Sequence, residues 1–482
     1  MNKKLDSFFK ISERGSTVKT EIIAGLTTFF AMAYIVVTNP NQVVGARNVG
    51  ELGTIWNAVY VASILVAVIG TLLYAFYAKL PYAQACGMGL NSFFFASFIV
   101  PSLVFGPNGE VLFTKGNEMS QYHQGLCIIL LSGLVFMILS VTGLRKYVAT
   151  SLPNCLKRAI PAGIGLFIAL VGFKSANIIQ ASPYTFVQLF DFHGAINGKT
   201  FFDAWKTIAP VVLAILGLLA IAVLEKKKVK GSVIITIASV TVLFYLTTWT
   251  LPDFKIDIIG QSFVDFGQHG FLGAFKGFDV FSGGVSNVIN AIVLVITFTL
   301  VDMFDTMGTL YGTASQANML DENGDPVDVD KAMTSDSVAT LTGAALGTST
   351  CTTFVESAAG VAAGGRTGLT ALVTAACFFI CLFLTPVAAI VPACATAPAL
   401  IYVGVLMLRN FANVDMSDIA EAVPAFLALV MMPLTYSISN GIAIGSIAYV
   451  IIRLVTGKYT RKDIVVTCIA VLFTLRFFLV TM

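Results

Sequence analysis

Glu356, Asp302, Asp305 and Asn91 are the four side chains that could do chemistry here, because each sits within or beside a long apolar run. An ionisable group inside a membrane costs about 2.5–3.5 kcal/mol on insertion scales, so it faces a cavity or a partner. Asp302 and Asp305, in TFTLVDMFDTMGTL, stand three apart and are neighbours on a helix face. Two acids so placed repel unless one is protonated, cation-paired or hydrated. Glu356 is the single carboxylate of Gly347–Gly368, GTSTCTTFVESAAGVAAGGRTG, preceded by Thr352 and Thr353 and followed by a Gly/Ala run. Such a composition permits unwound backbone and close approach of another helix. Asn91 lies in PYAQACGMGLNSFFF, after Pro81, Gln84, Cys86 and Gly87. Its amide both donates and accepts, which suits a heterocyclic ligand, although it could equally tie two helices together. Phe93 to Phe95 read as packing.

The elements that must hold these groups are membrane spans. Of the 482 residues 57% are hydrophobic and 11% charged, with mean hydropathy +0.86, whereas soluble domains carry about 25% charged residues. Apolar stretches of about twenty residues recur, the length of a transmembrane helix, and their length and glycine content argue against a barrel. The spans expected are 20–38, 57–79, 84–101, 121–143, 155–174, 206–224, 231–250, 286–306, 335–347, 350–363, 367–390, 393–409, 417–433 and 439–456. An all-α polytopic membrane protein is the fold class, with 251–285 joining two halves. Pro153, Cys155 and Gly165 recur as Pro392, Cys394 and Gly404, each displaced by 239 positions, and Gly125, Leu126 and Phe136 recur as Gly368, Leu369 and Phe379, displaced by 243. Seven spans per copy is an odd number, so the second copy lies inverted, as in many secondary transporters. The broken segments around Cys86–Asn91 and Gly347–Gly368 are then expected to meet at the midplane.

The N-terminal segment is polar and basic, with no signal-peptide pattern, and is expected to stay in the cytoplasm. That orientation puts Arg145, Lys146, Lys157 and Arg158 in one cytoplasmic loop and Lys226, Lys227, Lys228 and Lys230 in another, obeying the positive-inside rule. Arg409 and the cluster from Arg453 to Lys462 also fall inside. The apolar tail 463–482, with Arg476, is expected either along the interface or as a true last span.

No metal or redox site is expected. The eight cysteines form no C-x-x-C pair and the three histidines no H-E-x-x-H. The loop DENGDPVDVD begins like an EF-hand but has Pro326 where glycine is required and Ala332 where glutamate is. A solvated hairpin is expected there, with Ser335 or Asp336 capping the next helix. An intramembrane aspartyl protease would need its acids on facing helices in a Gly-x-Gly-Asp setting, which is absent. A sulfate or bicarbonate transporter would favour half-helix N-termini without acids.

ERGSTVKTEIIAGLTTFFAMAYIVVTNP, GMGLNSFF, VDMFDTMGTL, GTSTCTTFVESAAGVAAGGRTGLTALV and PLTYSISNGIAIG, in this order, resemble the AzgA-like purine permeases of the nucleobase:cation symporter-2 family. The resemblance runs to about residue 456. It implies about fourteen spans in two inverted seven-span repeats of the uracil-permease-like fold, with short extended breaks in the third and tenth spans. A core domain, 1–150 and 286–391, would move against a gate domain, 151–250 and 392–456, with 251–285 as inter-repeat loop and 457–482 as a C-terminal apolar segment. It implies a plasma- or inner-membrane importer of adenine, guanine or hypoxanthine, not an enzyme, coupled to a proton or to sodium, as a monomer or homodimer, with no cofactor and no nucleic acid. The family's functional positions fall on Asn91, Asp302, Asp305 and Glu356. Glu356 is expected to accept hydrogen bonds from the purine edge, with Asp302, Asn91, Thr353, Thr352, Cys86 and Gly87 completing the substrate site. A carboxyl withheld from water resists ionisation, so Asp305 or Asp302 is expected to carry the coupling proton.

Overall fold

The computed structural model describes residues 3–45, 47, 49–105, 111–143, 153–182, 185–197, 200–229, 231–252, 254–282, 284–317, 319 and 326–479. Arg145, Lys146, Lys230 and the first half of the acidic loop lie outside them.

Fifteen principal helices follow one another: α1 Val18–Val44, α2 Leu52–Ala78, α3 Met88–Ser102, α4 Glu118–Val141, α5 Asn154–Ser175, α6 Phe201–Lys226, α7 Ser232–Thr248, α8 Val285–Ala317, α9 Val329–Leu346, α10 Ser357–Ala362, α11 Gly368–Ala389, α12 Ala393–Leu408, α13 Ile419–Leu434, α14 Ile438–Val455 and α15 Ile464–Leu479. Among the described residues eight of them are long and apolar enough to cross a membrane, and α3, α7, α12, α13 and α15 are shorter apolar helices. The protein is a multi-pass membrane protein. Helices α5, α12, α13 and α14 pack together with α6 and α7, while α1, α2, α4, α9 and α11 form a second group. The joint 251–285 holds a short helix, Ile258–Asp265, and irregular turns against α2.

Among the described residues six short strands make three ribbons: β1 Gln84–Cys86, β2 Leu103–Phe105, β3 Val111–Thr114, β4 Ile179–Ser182, β5 Phe186–Leu189 and β6 Cys351–Thr353. The pair β1 and β6 organises the molecule. Extended backbone at membrane depth must find every hydrogen bond within the protein. Antiparallel pairing of Gln84 with Thr353, Ala85 with Thr352 and Cys86 with Cys351 supplies the inner edges. Phe354 N–H donates to Ala83 C=O at 3.1 Å and Gly87 N–H to Thr350 C=O at 3.0 Å, extending the ladder at both ends. The outer edges are met by threonine hydroxyls. Thr71 Oγ1 of α2 accepts from Gln84 N–H at 3.1 Å and lies 3.2 Å from its carbonyl, and Thr340 Oγ1 of α9 holds Cys351 in the same way at 3.1 and 2.9 Å. Each bond on β1 has its counterpart on β6, which is the signature of the inverted repeat.

The structure corrects one sequence expectation and gives the arrangement of the tail, which the sequence left open. Ser335 and Asp336 cap nothing: α9 begins at Val329, and both are buried inside it. Its buried residues, Ala332, Met333, Ser335, Asp336, Ala339, Thr340, Gly343 and Ala344, recur at helical spacing, so the polar pair belongs to the packed stripe. The tail, expected either along the interface or as a last span, is a helix packed against α14. It runs antiparallel to α14, from Asp463, bonded to Tyr449 at 3.1 Å, to Arg476, bonded to Ser439 at 2.9 Å and to Asn290 of α8 at 3.3 Å.

Candidate functional site

Beyond the ribbon, β1 leads into α3 and β6 into α10. Between these helix starts, α8 and the helices α5 and α12 lies a cavity of about 250 Å³. Asp305, Glu356, Thr352 and Thr353 line it on one side, and Ile168, Val403 and Met407 on the other. Close packing makes room for so short a half-helix as α10. A Cβ on Gly360 would stand 2.0 Å from Thr28 Oγ1 of α1, and one on Gly89 would stand 2.3 Å from Ile164 of α5, so only glycine fits at either place.

Glu356 occupies the N-cap position of α10 without capping it. Its Oε1 instead accepts a 2.5 Å hydrogen bond from the Tyr34 hydroxyl. Tyr34 is fully buried at the break between Val18–Met32 and Ile35–Val44, the two helical parts of α1. Asp305, half-buried, shares the cavity with Glu356.

Asp302 does not line the cavity. Thr340 donates to its Oδ2 at 2.7 Å, and its Oδ1 is buried with no hydrogen-bond partner among the described residues. Three residues on a helix turn the side chain by about 60° from a full circle, enough to put Asp305 in the cavity and Asp302 behind it. Asp302, expected among the substrate contacts, thus stands behind the cavity wall. Nearby, Asp336 accepts from Gln84 Nε2 at 2.8 Å and from Thr306 Oγ1 at 2.6 Å, and Thr306 lies 2.7 Å from the hydroxyl of Thr352 at the cavity wall. The acids thus form a cluster of which sequence reasoning found three members and missed Asp336.

Asn91, Cys86 and Gly87 also lie off the cavity. Asn91 donates to Asn39 Oδ1 and accepts from Ser349, while Asn39 donates to Thr348 at 3.2 Å and to Ser63. Gln42 joins by donating to Ser92 at 3.0 Å. Cys86 Sγ rests 3.3 Å from Thr348 Oγ1. This neutral network binds α1, α2, α3 and the residues before β6 to one another. Tyr34 escaped sequence reading because a phenol in an apolar span looks like packing, and Asn39 and Gln42 because the expected span stops at residue 38 whereas the helix runs to Val44; the signal available was three polar groups beside Pro40. A second cavity, of about 860 Å³, adjoins Gln42 at the other ends of α5 and α12, with Arg47, Lys174 and Tyr436 in its wall.

The model of the Permease family matches residues 19–444, most of the chain. The protein belongs to the Permease family. This permease is similar to adenine permease AdeQ of Escherichia coli (strain K12), 36% identical over 99% of this chain and 96% of the relative. It is similar in the same degree to guanine/hypoxanthine permease PbuO of Bacillus subtilis (strain 168), 37% identical over 98% of this chain and 100% of the relative. Among solved structures, the transmembrane domain of a cyanobacterium bicarbonate transporter BicA matches with TM-score 0.59 at 14% identity, covering 88% of this chain and 97% of that one. The murine anion transporter Slc26a9 in its inward-facing state matches with TM-score 0.60 at 13% identity, covering 96% and 73%. Likeness at such identity speaks for the fold alone. The permease is a membrane transporter and not an enzyme.

Proposed function

We propose that this permease imports purine nucleobases, adenine, guanine or hypoxanthine, by proton symport with alternating access. The observation that carries the reading is the pair of carboxyls, Glu356 and Asp305, lining a cavity of about 250 Å³ in a chain similar along its length to relatives named for purines. That volume lies just below the roughly 300–1,000 Å³ of sites for drug-sized ligands, a size in keeping with a single bicyclic base. Guanine and hypoxanthine carry an N1–H, and guanine an adjacent amino group. Glu356 accepts hydrogen bonds from that edge, each worth about 1.5–3 kcal/mol when charge-assisted. Thr352, Thr353 and Asp305 meet the rest of the ring.

The proton is carried in the cluster behind the cavity, where Asp302 has an oxygen without a partner among the described residues. Transport then follows from sliding of a core, 1–150 with 286–391, past a gate, 151–250 with 392–456, the N-terminus being cytoplasmic. The division is in keeping with the two groups of helices that pack among themselves. An anion as cargo, suggested by the fold alone, is disfavoured by two carboxyls at the cavity, which outnumber Arg409 in the same wall. The test is uptake of labelled guanine, hypoxanthine and adenine in cells without their own permeases, with xanthine and uracil as competitors. Sodium replacement and a proton uncoupler identify the coupling ion. Accumulation of a purine that the uncoupler abolishes is expected; competition by none of the purines overturns the reading.

A further inference from the structure

Similarity does not separate the two kinds of purine relative, since the identities are 36% and 37%. The contact between Tyr34 and Glu356 does bear on the choice. Adenine offers an acceptor, N1, beside a donor, its 6-amino group, so a carboxyl that holds it must donate with one oxygen and accept with the other. Guanine and hypoxanthine offer N1–H, for which a carboxylate that only accepts is the complement.

We infer that Tyr34 sets the substrate preference of the site, holding Glu356 as an acceptor for guanine and hypoxanthine and against adenine. The Tyr34 hydroxyl donates to Oε1 at 2.5 Å, within the short range of O–H···O⁻ bonds. Such a bond is stronger to a carboxylate than to the neutral acid, so it stabilises the form that accepts with both oxygens. Tyr34 is fully buried, and its backbone is fixed at the break in α1, where its carbonyl accepts from Thr38 Oγ1 at 3.1 Å. The hydroxyl is thus held within packed protein, with Glu356 as its acceptor. Two lone pairs on each carboxylate oxygen leave room for a purine N–H beside it. Tyr34 is a positioning residue, acting on the ligand through Glu356.

This inference rests on the purine reading, and its test separates the two. In competition for uptake by the unaltered permease, guanine and hypoxanthine are expected to outcompete adenine by at least tenfold. Adenine competing as well as guanine overturns the role of Tyr34 while leaving purine transport standing; no competition by any purine overturns the transport reading itself. Tyr34→Phe keeps the ring and removes the donor, and is expected to narrow the guanine-to-adenine ratio by about five- to tenfold, the difference between a charge-assisted and a neutral hydrogen bond. A merely structural tyrosine would weaken all purines alike, and an unchanged ratio overturns the inference. In a Glu356→Gln background, where the amide already donates and accepts, Tyr34→Phe is expected to leave the ratio unaltered; a further shift there shows that the tyrosine acts by another route and overturns it.

Discussion

The two broken segments share a backbone and differ in chemistry. Around β1 and α3, Asn91, Asn39, Gln42 and Ser349 make a neutral, closed network away from the acidic cavity. Around β6 and α10, Glu356 and Asp305 face a cavity, with Asp302 and Asp336 behind them. Counted from the paired strands, Glu356 takes the place in the second repeat that Gly89 takes in the first, and Ala358 the place of Asn91. The scaffold occurs twice, and the carboxyls that line the cavity belong to the second half. The ladder ties the strand before Glu356 to the first segment, so the carboxyl stands on backbone whose hydrogen bonds are met within the protein.

The contrast can be broken most forcefully at Glu356. Glu356→Ala is expected to weaken guanine binding by about a hundredfold, the loss of one to two charge-assisted hydrogen bonds, in equilibrium binding to the purified protein. Next comes the packing that seats α10. Gly360→Ala drives a methyl into Thr28 and is expected to destabilise by about 1–3 kcal/mol, lowering both the thermal midpoint and transport. Asn91→Ala tests the other segment: it removes the donor to Asn39 Oδ1 and the acceptor of the Ser349 hydroxyl and is expected to lower stability by about 1–3 kcal/mol while purine affinity stays within about twofold. A large affinity loss in a well-folded Asn91→Ala would erase the distinction between the two regions. The finest test compares Thr71→Val with Thr340→Val. Both remove a ribbon clamp and are expected to cost about 1–2 kcal/mol in thermal unfolding, but only the second also frees Asp302, so only it should disturb transport beyond its effect on stability.

Much of this was legible before the structure. Crossing a bilayer demands a long apolar run, so the spans and the two small-residue breaks stand out in the sequence, and Glu356 stands out because an acid in such a run needs a reason. What stayed hidden depended on neighbours far away along the chain. Asp336 follows an acidic loop and looks like a cap; only the early start of α9 makes it a buried partner of Gln84 and Thr306. Asp302 and Asp305 look equivalent, and a small rotation about α8 decides which meets the cavity. Tyr34 resembles any aromatic of a membrane core until Glu356, 322 positions on, is placed at its hydroxyl.

The hairpin of α14 and α15 has a mechanical meaning. Arg476 grips Ser439 and Asn440 of α14 and Asn290 of α8 at once, so one cation ties these two helices to the tail. Any sliding of α8 along α14 must release one side of that grip, at about the worth of a hydrogen bond to a charged group, roughly 1.5–3 kcal/mol. In the proposed sliding cycle the tail helix would act as a brake, favouring the arrangement in which Arg476 keeps both sets of partners.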